Sequence, residues 1–343
     1  EQLDLNEHLG KVERNKLEAI DLEIQSYKKI YGLIDFTDML EKFLTKGSIQ
    51  NKLDVIFVDE AQDLSKIQWD MIEKIERDNG CDIWVAGDDD QAIFGWAGAD
   101  VDIFIDWDAT EMPLKQSERV PSKVQQRALS IITRVVDNRL EKTYEPKKVE
   151  GSIFEVMKLC DVDMSQGTWL ILTRTNPLLK PIPAVLKNKG LFFKTSEGNS
   201  ISKNLYDDIL NWDKFRKGES LPEILEQRLL EKIKGKPNLK LEWYQAFTNV
   251  AANKIDYLRM MLSNGEKIGE EPRITISTIH SAKGGEAENV VLFLNQTTNT
   301  MRSAKKSIYK QDEEYRVWYV GVTRTIQNLY LVKCKNKRKE FII

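Results

Sequence analysis

A chain of 343 residues is long enough to form two hydrophobic cores, and 41% hydrophobic with 31% charged residues is typical of a soluble globular protein rather than a disordered or fibrous one. The formal net charge of -3 neither supports nor excludes a nucleic-acid partner, because a basic groove can lie on an acidic body. No apolar run reaches membrane-spanning length and no secretory signal opens the chain, so we expect a cytoplasmic protein. The three cysteines lack metal-ligand spacing and are expected to be reduced thiols.

The chain begins with helical sequence. Apolar residues recur at helical spacing between charges from Asn6 to Tyr31, which predicts one amphipathic helix whose apolar face packs in a core. The first residue is Glu1 rather than methionine, which leaves room for a preceding segment. A second helix is predicted to begin after Asp35, whose carboxylate can cap it, and to end near Gly47.

Two apolar runs of strand length follow, and each ends abruptly in acids. Residues 53–58 lead into Asp59 and Glu60, and the second run leads into the acidic segment 88–90. The predicted helix between the two runs is capped by Ser65. Buried parallel strands deliver polar residues from their carboxyl ends into a ligand crevice, so this stretch predicts a βαβ unit.

The adjacent acids Asp59 and Glu60 suit the hydrolysis of a Mg²⁺-bound nucleotide. Neighbouring strand residues point to opposite faces of a sheet, so one carboxylate can reach a metal while the other faces an attacking water. Mg²⁺ prefers one or two carboxylates together with phosphate oxygens and water. The alternative, that these acids simply begin a solvated helix, would be reasonable for an isolated pair.

The sequence around these acids resembles that of the UvrD-like, superfamily 1 DNA helicases. Residues 58–63 are similar to the Walker B motif of that family. The resemblance implies an ATP site in which Asp59 binds Mg²⁺, Glu60 is the catalytic base and Gln62 contacts the nucleotide.

Residues 86–100 are similar to the family's motif that senses phosphate and stacks on DNA. The resemblance implies that Gln91 contacts the terminal phosphate and that Phe94 and Trp96 stack on single-stranded DNA. An indole face gains about 1–3 kcal/mol per stacked base and tolerates any sequence. Burial of Trp96 in a core is the alternative. The family usually has arginines beside this tryptophan, where this chain has glycine and alanine, so fewer contacts to the DNA backbone are expected from this loop.

Residues 114–121 resemble the family's motif IV. Arg119 lies at the position of the arginine that contacts the γ-phosphate, and a guanidinium fork suits such an oxyanion. A solvent-exposed Arg119 without a role is the alternative. Glu118 stands where the family has the tyrosine that stacks on adenine, so stacking is not expected there. A helix over residues 121–136 and a basic, proline-containing linker over residues 142–149 are predicted next.

A second α/β segment is predicted to begin at Gly151. Its predicted elements are strands over residues 153–156, 169–173 and 191–196, with a helix over residues 177–188. Helices are then predicted over residues 205 to about 265, including 221–233 and 241–262. They occupy the place of the accessory insertion of UvrD-like helicases but are shorter than is usual there.

Residues 275–287 resemble motif V, in which a strand is followed by a turn with two glycines. The resemblance implies that Thr278 and His280 contact the DNA backbone. It also implies that Gly284 and Glu286 lie at the nucleotide. By itself, a single histidine such as His280 is more often a packing residue.

Residues 313–324 resemble motif VI. Arg324 lies at the position of the family's arginine finger, whose charge stabilises the transferring phosphoryl group and can be worth about 10³-fold or more in rate. A final strand over residues 328–332 and a solvated basic tail over residues 333–339 are predicted to follow.

No Gly-x-x-x-x-Gly-Lys-Ser/Thr loop, the Walker A motif, occurs in the sequence. That loop supplies the backbone amides and the lysine that hold the β- and γ-phosphates of ATP. We therefore expect that this chain alone does not bind ATP productively. Truncation, an incomplete gene and a separate chain that carries the loop are the alternatives for its absence.

The predicted fold is α/β of the P-loop NTPase class, with RecA-like parallel sheets in one partial and one complete domain and a short helical insertion. The predicted domains are residues 1–110 for the partial domain, residues 111–204 with 273–343 for the complete one, and residues 205–272 for the insertion.

The predicted function is that of an ATP- and Mg²⁺-dependent DNA helicase of UvrD type, which moves 3′ to 5′ on single-stranded DNA and acts at duplex junctions. A catalytically inactive DNA-binding or interaction protein that keeps the helicase fold is the alternative from another class. The retained acids and arginines argue against that alternative, because an idle site would be free to lose them. A third hypothesis is the motor part of an ATP-dependent nuclease. The sequence argues against it, because no carboxylate-rich segment typical of a nuclease follows residue 332.

Overall fold

The computed structural model describes residues 14–343, which form two compact units. Among the described residues, the first unit comprises residues 14–115, 131–143 and 303–319. The second unit comprises residues 116–130, 144–302 and 320–343. Each unit is described by itself below.

The first part of the chain forms the βαβ unit that the sequence predicts. In chain order its elements are α1 (Arg14–Tyr31), α2 (Phe36–Lys46), β1 (Val55–Val58), α3 (Lys66–Asn79), β2 (Asp82–Val85) and α4 (Val101–Ile105). β1 and β2 pair in parallel, with Val55 opposite Asp82. Between and beneath these strands, Ala61, Trp69 and Ile72 form a small core.

Local capping residues set the ends of these helices as predicted. Asp35 is the N-cap of α2, where its carboxylate accepts a 2.9 Å hydrogen bond from the Asp38 backbone N–H. Ser65 is the N-cap of α3, and its backbone N–H donates to Gln68 Oε1 at 2.8 Å. Gly80 ends α3 in the left-handed region at φ +63°, which a residue without a Cβ adopts at little cost.

The helix prediction for α1 is confirmed, but the prediction that its apolar face packs in a core is wrong for the described residues. α1 buries none of its side chains, and Ile24 and Tyr27 are 48% and 57% exposed. The reason is that no described element packs over this face. The predicted helical residues 6–13 lie outside the described part of the chain.

The remaining elements extend from Gln116 to Val332. In chain order they are β3 (Gln116–Pro121), α5 (Ser122–Ile132), β4 (Glu145–Lys147), β5 (Ser152–Val156), β6 (Trp169–Thr173), α6 (Asn176–Leu179), α7 (Ile182–Asn188), β7 (Phe193–Thr195), β8 (Gly198–Asn199), α8 (Lys203–Arg216), α9 (Glu223–Leu230), α10 (Trp243–Ala246), α11 (Ala252–Ser263), β9 (Ile274–Thr278), β10 (Ala287–Phe293), α12 (Thr298–Ala304), α13 (Ile308–Thr323) and β11 (Thr325–Val332).

A seven-stranded sheet organises the second unit, with strand order β5-β11-β10-β6-β9-β7-β8. All neighbouring strands pair in parallel except β7 and β8, which form an antiparallel edge. The central strand β6 is buried along all five residues, as expected for a parallel strand covered on both faces. The predicted α/β class with mostly parallel sheets is confirmed.

The helices between β8 and β9 pack on the same hydrophobic core as the sheet. Trp212, Phe247 and Leu258 of this region join sheet residues Ile171 and Ile274 in one buried cluster. The insertion predicted over residues 205–272 is therefore built onto the sheet rather than connected to it by a flexible linker.

Three predicted elements have a different structure from the one expected. The helix predicted over residues 177–188 is interrupted at Lys180–Pro181, because proline supplies no backbone N–H to continue it. The helix predicted over residues 241–262 is two helices, α10 and α11. The predicted linker 142–149 contains strand β4, which pairs in parallel with β3 and so satisfies backbone groups that a linker would leave to water.

All three cysteines are free, with Cys81 and Cys334 buried and Cys160 exposed. Among residues 14–343, no helix combines the length and the apolar composition needed to cross a membrane.

Candidate functional site

The two acids after β1 occupy the carboxyl end of a parallel strand. Asp59 and Glu60 are both exposed, and the Glu60 backbone N–H donates to Asp59 Oδ1 at 2.8 Å. Glu60 has the left-handed conformation, with φ +51° and ψ +38°. A residue with a Cβ rarely adopts this conformation, and such strain concentrates at functional sites.

The side chain of Gln62 links the loop after β1 to the loop after β2. Gln62 is fully buried, its Nε2 donates to Glu60 Oε2 at 2.6 Å, and its Oε1 accepts from the Asp88 backbone N–H at 2.9 Å. A Cβ at Gly87 would lie 2.6 Å from Gln62 Oε1, so a larger residue there would displace the Gln62 side chain. Gln62 was predicted to contact a nucleotide, and the structure places it as a bridge behind Glu60.

Gln91, the predicted phosphate sensor, is hydrogen-bonded to Asp88, the residue whose backbone Gln62 contacts. Gln91 Nε2 donates to Asp88 Oδ2 at 2.8 Å. A continuous chain of hydrogen bonds therefore runs from Glu60 through Gln62 and Asp88 to Gln91, all within the first unit. The structure thus brings together three of the predicted nucleotide-site residues.

The structure adds two residues to this network that sequence reasoning missed. Arg139 and Lys142, at the edge of the predicted linker, bind the acids that follow β2: Arg139 Nε lies 2.7 Å from Asp90 Oδ1, and Lys142 Nζ lies 2.7 Å from Asp88 Oδ1. The available signal was the run of three aspartates after an apolar strand, since buried carboxylates require partners. Nothing in the sequence identified which distant cations provide them.

The loop predicted to stack on DNA presents one ring to solvent. Trp96 is 52% exposed, and its ring centroid lies 6.3 Å from that of half-buried Phe94, at an interplanar angle of 59°. An added Cβ at Gly95 would lie 2.7 Å from Tyr309 Oη and closer still to Glu313 Oε1, both on α13. A larger residue at position 95 would therefore displace the ends of these two side chains.

In the second unit, two predicted nucleotide residues bind each other. Arg119, on β3, donates from Nε to Glu286 Oε2 at 2.6 Å, and its Nη1 lies 3.5 Å from the Thr323 carbonyl oxygen. Both side chains are partly exposed. Nearby, Gly284 has φ +80°, a left-handed conformation that favours glycine, and its position two residues before Glu286 turns the chain into β10.

Arg324 is held against the end of its own helix. It is 1% exposed, its Nε donates to the Val320 carbonyl oxygen at 3.1 Å, and its Nη2 lies 3.4 Å from Thr323 Oγ1. A guanidinium at this position also interacts favourably with the negative end of the helix dipole. The structure therefore shows the predicted arginine finger in a buried, internally bonded position.

The predicted DNA-contact residues Thr278 and His280 lie at the carboxyl end of β9. Thr278 Oγ1 is 3.0 Å from Ser281 Oγ and accepts from the Ser281 backbone N–H at 3.2 Å. Burial lowers the pKa of His280 to about 4, and the positive charge of Arg174 acts in the same direction. The imidazole is therefore neutral near physiological pH, where it can exchange hydrogen bonds with a phosphodiester without adding a charge.

The predicted site residues of the second unit lie at opposite ends of its strands. Thr278 is the last residue of β9, and His280 follows two positions later. Glu286 and Arg324 immediately precede the amino ends of β10 and β11, which pair in parallel with Ala287 opposite Thr325. The residues assigned to nucleotide and those assigned to DNA therefore lie about one strand length apart.

The chemistry of the residues after β1 fits Mg²⁺ better than a metal that requires several protein ligands. Asp59 presents an exposed carboxylate, which is the hard oxygen donor that Mg²⁺ takes along with phosphate and water. Within residues 14–343 there is no cluster of three or more histidine, cysteine or acidic side chains arranged to hold a metal.

Two family models match opposite parts of the chain. The model described as UvrD/REP helicase N-terminal domain matches residues 1–110, and the UvrD-like helicase C-terminal domain matches residues 224–336. Together they match more than half of the sequence, and the two matched regions contain the acidic turn after β1 and the segments that precede β10 and β11.

Similar proteins carry related names. DNA helicase II of Escherichia coli (strain K12) is 35% identical over 96 residues, which cover 23% of this chain and 13% of that protein. A probable DNA helicase II homolog of Mycoplasma pneumoniae is 23% identical over 456 residues, covering 98% of this chain and 64% of that protein. ATP-dependent DNA helicase PcrA of Staphylococcus epidermidis is 44% identical over 52 residues, covering 15% of this chain and 7% of that protein. The chain thus spans less than two thirds of these relatives.

Proposed function

The chain belongs to the UvrD-like helicase family, and from this premise we propose that it couples ATP hydrolysis to movement on single-stranded DNA. The mostly parallel α/β fold agrees with the RecA-like P-loop class of that family. The domains that we propose are residues 1–110 for a partial first RecA-like domain, residues 111–204 with 273–343 for a second, and residues 205–272 for a reduced accessory insertion. The compact units differ from these bounds, because residues 111–115, 131–143 and 303–319 belong to the first unit.

The observation that carries the proposal is the hydrogen-bond chain from Glu60 through Gln62 and Asp88 to Gln91. It joins an acid suited to activating water with an amide suited to sensing a terminal phosphate. A network that fixes both groups in one arrangement is what in-line phosphoryl transfer requires, since this chemistry depends on positioning and electrostatics.

In the proposed ATP site each side chain has one task. Glu60 accepts a proton from the attacking water, and the Gln91 side-chain amide contacts the terminal phosphate. Asp59 would hold Mg²⁺. When bound, Mg²⁺ neutralises charge on the phosphate oxygens. In the second unit, Arg119 and Arg324 are the proposed sources of positive charge for a transferring phosphoryl group. For this role Arg119 must exchange its bond with Glu286, and Arg324 its bond with the Val320 carbonyl oxygen.

The proposed DNA path uses stacking and backbone contacts. The exposed ring of Trp96, with Phe94 beside it, stacks on bases without sequence preference. Thr278 and His280 contact the sugar-phosphate backbone, which positions a strand without reading it. The proposed partners are single-stranded DNA and its junctions with duplex, and the proposed direction is 3′ to 5′.

ATP binding also requires a phosphate-binding loop, which the printed sequence does not contain. We propose that it is supplied by a preceding segment or by a separate chain. The functional test therefore uses this chain preceded by the strand, phosphate-binding loop and helix of a UvrD-like helicase, a protein called the completed chain below.

The experiment measures ATP-driven strand separation by the completed chain. Duplexes with a 3′ single-stranded tail, a 5′ tail or blunt ends are mixed with ATP and Mg²⁺, and strand separation is followed by fluorescence. Unwinding of the 3′-tailed duplex alone supports the proposal. Binding of all three without ATP turnover would refute the helicase function.

A second candidate is a DNA-binding protein that keeps the helicase fold without turnover. The observation that favours it is the buried position of Arg324, whose guanidinium is bonded within its own unit. The two candidates differ in the DNA-stimulated ATPase of the completed chain, which only the helicase should show.

A further inference from the structure

Three consecutive aspartates after β2 are buried at one place in the first unit. Asp89 and Asp90 have no exposed surface, and Asp88 is partly buried beside them. Adjacent carboxylates repel one another and lose hydration when buried, so each requires a cation or hydrogen-bond donor. Burial accordingly raises the pKa of Asp89, against the opposing attraction of Lys142.

One short segment, residues 139–142, supplies donors to all three carboxylates. Arg139 forms a two-pronged pair with Asp90, from Nε to Oδ1 at 2.7 Å and from Nη2 to Oδ2 at 3.0 Å. The Leu140 backbone N–H donates to Asp89 Oδ2 at 3.0 Å. Lys142 Nζ binds Asp88 Oδ1 at 2.7 Å and also contacts Asp89 Oδ1. This segment lies about 50 residues further along the chain and packs within the same unit.

Lys142 is the member of this segment that touches the proposed catalytic network. Its partner Asp88 accepts the Gln91 amide on its other carboxylate oxygen, at 2.8 Å. The Asp88 backbone N–H donates to Gln62, whose amide in turn donates to Glu60. Arg139 binds Asp90, so its pairing is with a neighbouring carboxylate rather than with the one that holds Gln91.

We propose that Lys142 is a positioning residue for ATP hydrolysis: its ammonium holds the Asp88 carboxylate in the orientation that fixes the side-chain amide of Gln91. The proposal rests on the proposed function for its catalytic consequence, and on the observed contacts for the positioning itself. Without the ammonium, Asp88 faces the charge of Asp89 with less compensation and turns away from Gln91. Arg139 supports the arrangement by neutralising Asp90.

The positioning is tested first on the 343-residue chain, without nucleotide. Nuclear magnetic resonance of the glutamine side-chain amides is recorded for the wild type and for Lys142→Met, with Gln91→Glu used to assign the Gln91 signal. The proposal predicts that the Gln91 amide shifts by more than its linewidth in Lys142→Met and returns toward the wild-type position in Lys142→Arg. An unmoved Gln91 signal in folded Lys142→Met overturns the proposal.

Two further variants separate positioning from general stability. Lys66→Met removes an exposed lysine that pairs with Asp70 at 2.9 Å on α3, and should leave the Gln91 signal in place. Asp88→Asn should shift the signal by itself, and adding Lys142→Met to it should cause little further change, because both act through one contact. A fully additive double variant would show that Lys142 does not act through Asp88. Where Lys142→Met alone is poorly folded, Lys142→Arg takes its place, and its Gln91 signal should stay close to that of the wild type.

The catalytic consequence is tested on the completed chain. Lys142→Met should lower kcat by about 10²-fold, the scale expected for a misplaced catalytic group, with little change in KM for ATP. If Lys142→Arg lowered kcat as much as Lys142→Met does, the positive charge that lysine and arginine have in common would not be what positions Gln91. If the wild-type completed chain has no ATPase, the proposed function fails, whereas the amide signals still decide whether Lys142 positions Gln91.

Discussion

Arg119 and Glu286 form an ion pair with 2.6 Å between Arg119 Nε and Glu286 Oε2, although 167 positions separate them in sequence. Both were assigned to the nucleotide by resemblance. The contact joins β3 to the turn before β10 in the same unit. In the proposed ATP site a γ-phosphate would have to compete with Glu286 for this guanidinium, so we expect the effects of substituting the two residues to differ.

We expect Arg119→Ala to lower kcat of the completed chain by about 10³-fold, because the transferring phosphoryl group loses a charge that acts mainly in the transition state. Glu286→Gln should instead raise KM for ATP more than it lowers kcat. Steady-state ATPase kinetics measure both. Lys123→Ala, which removes an exposed pair with Glu150 at 2.8 Å in the same unit, is the matched control. If Arg119→Ala had the same kcat and KM as the control variant, the assignment of Arg119 to the nucleotide site would be wrong.

Glu60→Gln is expected to abolish ATP hydrolysis by the completed chain while ATP binding survives. The amide keeps the shape and the contact with Gln62 but cannot take a proton from water. Single-turnover hydrolysis and binding of a fluorescent ATP analogue are measured together. Glu73→Gln, an exposed change on α3, should affect neither quantity. Normal turnover in Glu60→Gln would contradict its assignment as the base.

The 343-residue chain alone should show negligible DNA-stimulated ATPase, because its sequence contains no loop to hold the β- and γ-phosphates. Joining a phosphate-binding segment, or adding it as a separate chain, should restore turnover. The measurement is phosphate release with and without single-stranded DNA. Robust release by the purified chain that is lost in Glu60→Gln would show that phosphate binding does not need that loop here.

Trp96→Ala should weaken binding of single-stranded DNA by about 1–3 kcal/mol, with little dependence on base sequence, because one stacking surface is lost. Basal ATPase of the completed chain should largely survive while strand separation is lost. Fluorescence titrations with oligonucleotides of several sequences measure the affinity. Trp84→Ala, which removes another ring that is about half exposed in the same unit, is the control for general effects. Unchanged affinity in folded Trp96→Ala would make this ring a surface residue without a role in DNA binding.

His280 should remain neutral in the folded protein down to about pH 4, since burial and Arg174 lower its pKa from 6.5 to about 4. In the unfolded chain it takes up a proton below about pH 6.5. The unfolded state therefore binds more protons between these values, so the contribution of His280 to the free energy of unfolding falls as pH is lowered through this window.

This prediction is checked by a magnetic resonance titration of the His280 ring, with His280→Gln identifying its signal. Urea unfolding at about pH 7.5 and pH 5 should show that the wild type loses on the order of 1–2 kcal/mol more stability than the variant. A ring that titrates near 6.5 would indicate a solvated imidazole and remove this pH dependence.

Much of the fold could be predicted from local sequence. Asp35 and Ser65 cap their helices, and the two acid-ended apolar runs form the parallel pair β1 and β2. These features depend on residues a few positions apart, whose hydrogen bonds and side-chain alternation are set by backbone geometry. The same logic placed Asp59 and Glu60 at the carboxyl end of a strand.

Other features depend on which distant segment packs at a given place. The helical periodicity of α1 was correct, but it could not show that its apolar face would be exposed among the described residues. The basic sequence around Lys142 looked like a linker, and β4 within it pairs with β3. Periodicity reports which face is apolar, whereas burial depends on the elements that cover it.

The sequence by itself determined the family, the strand-end acids and the candidate residues for nucleotide and DNA, because these are carried by contiguous motifs. Only the tertiary structure decided that Gln62 bridges Glu60 and Asp88, that Arg324 is bonded inside its own unit, and that Lys142 compensates buried aspartates. The physical reason is that a buried charge must be matched wherever the chain folds back on it, and many exposed cations in the sequence are equally able to do so until packing selects one.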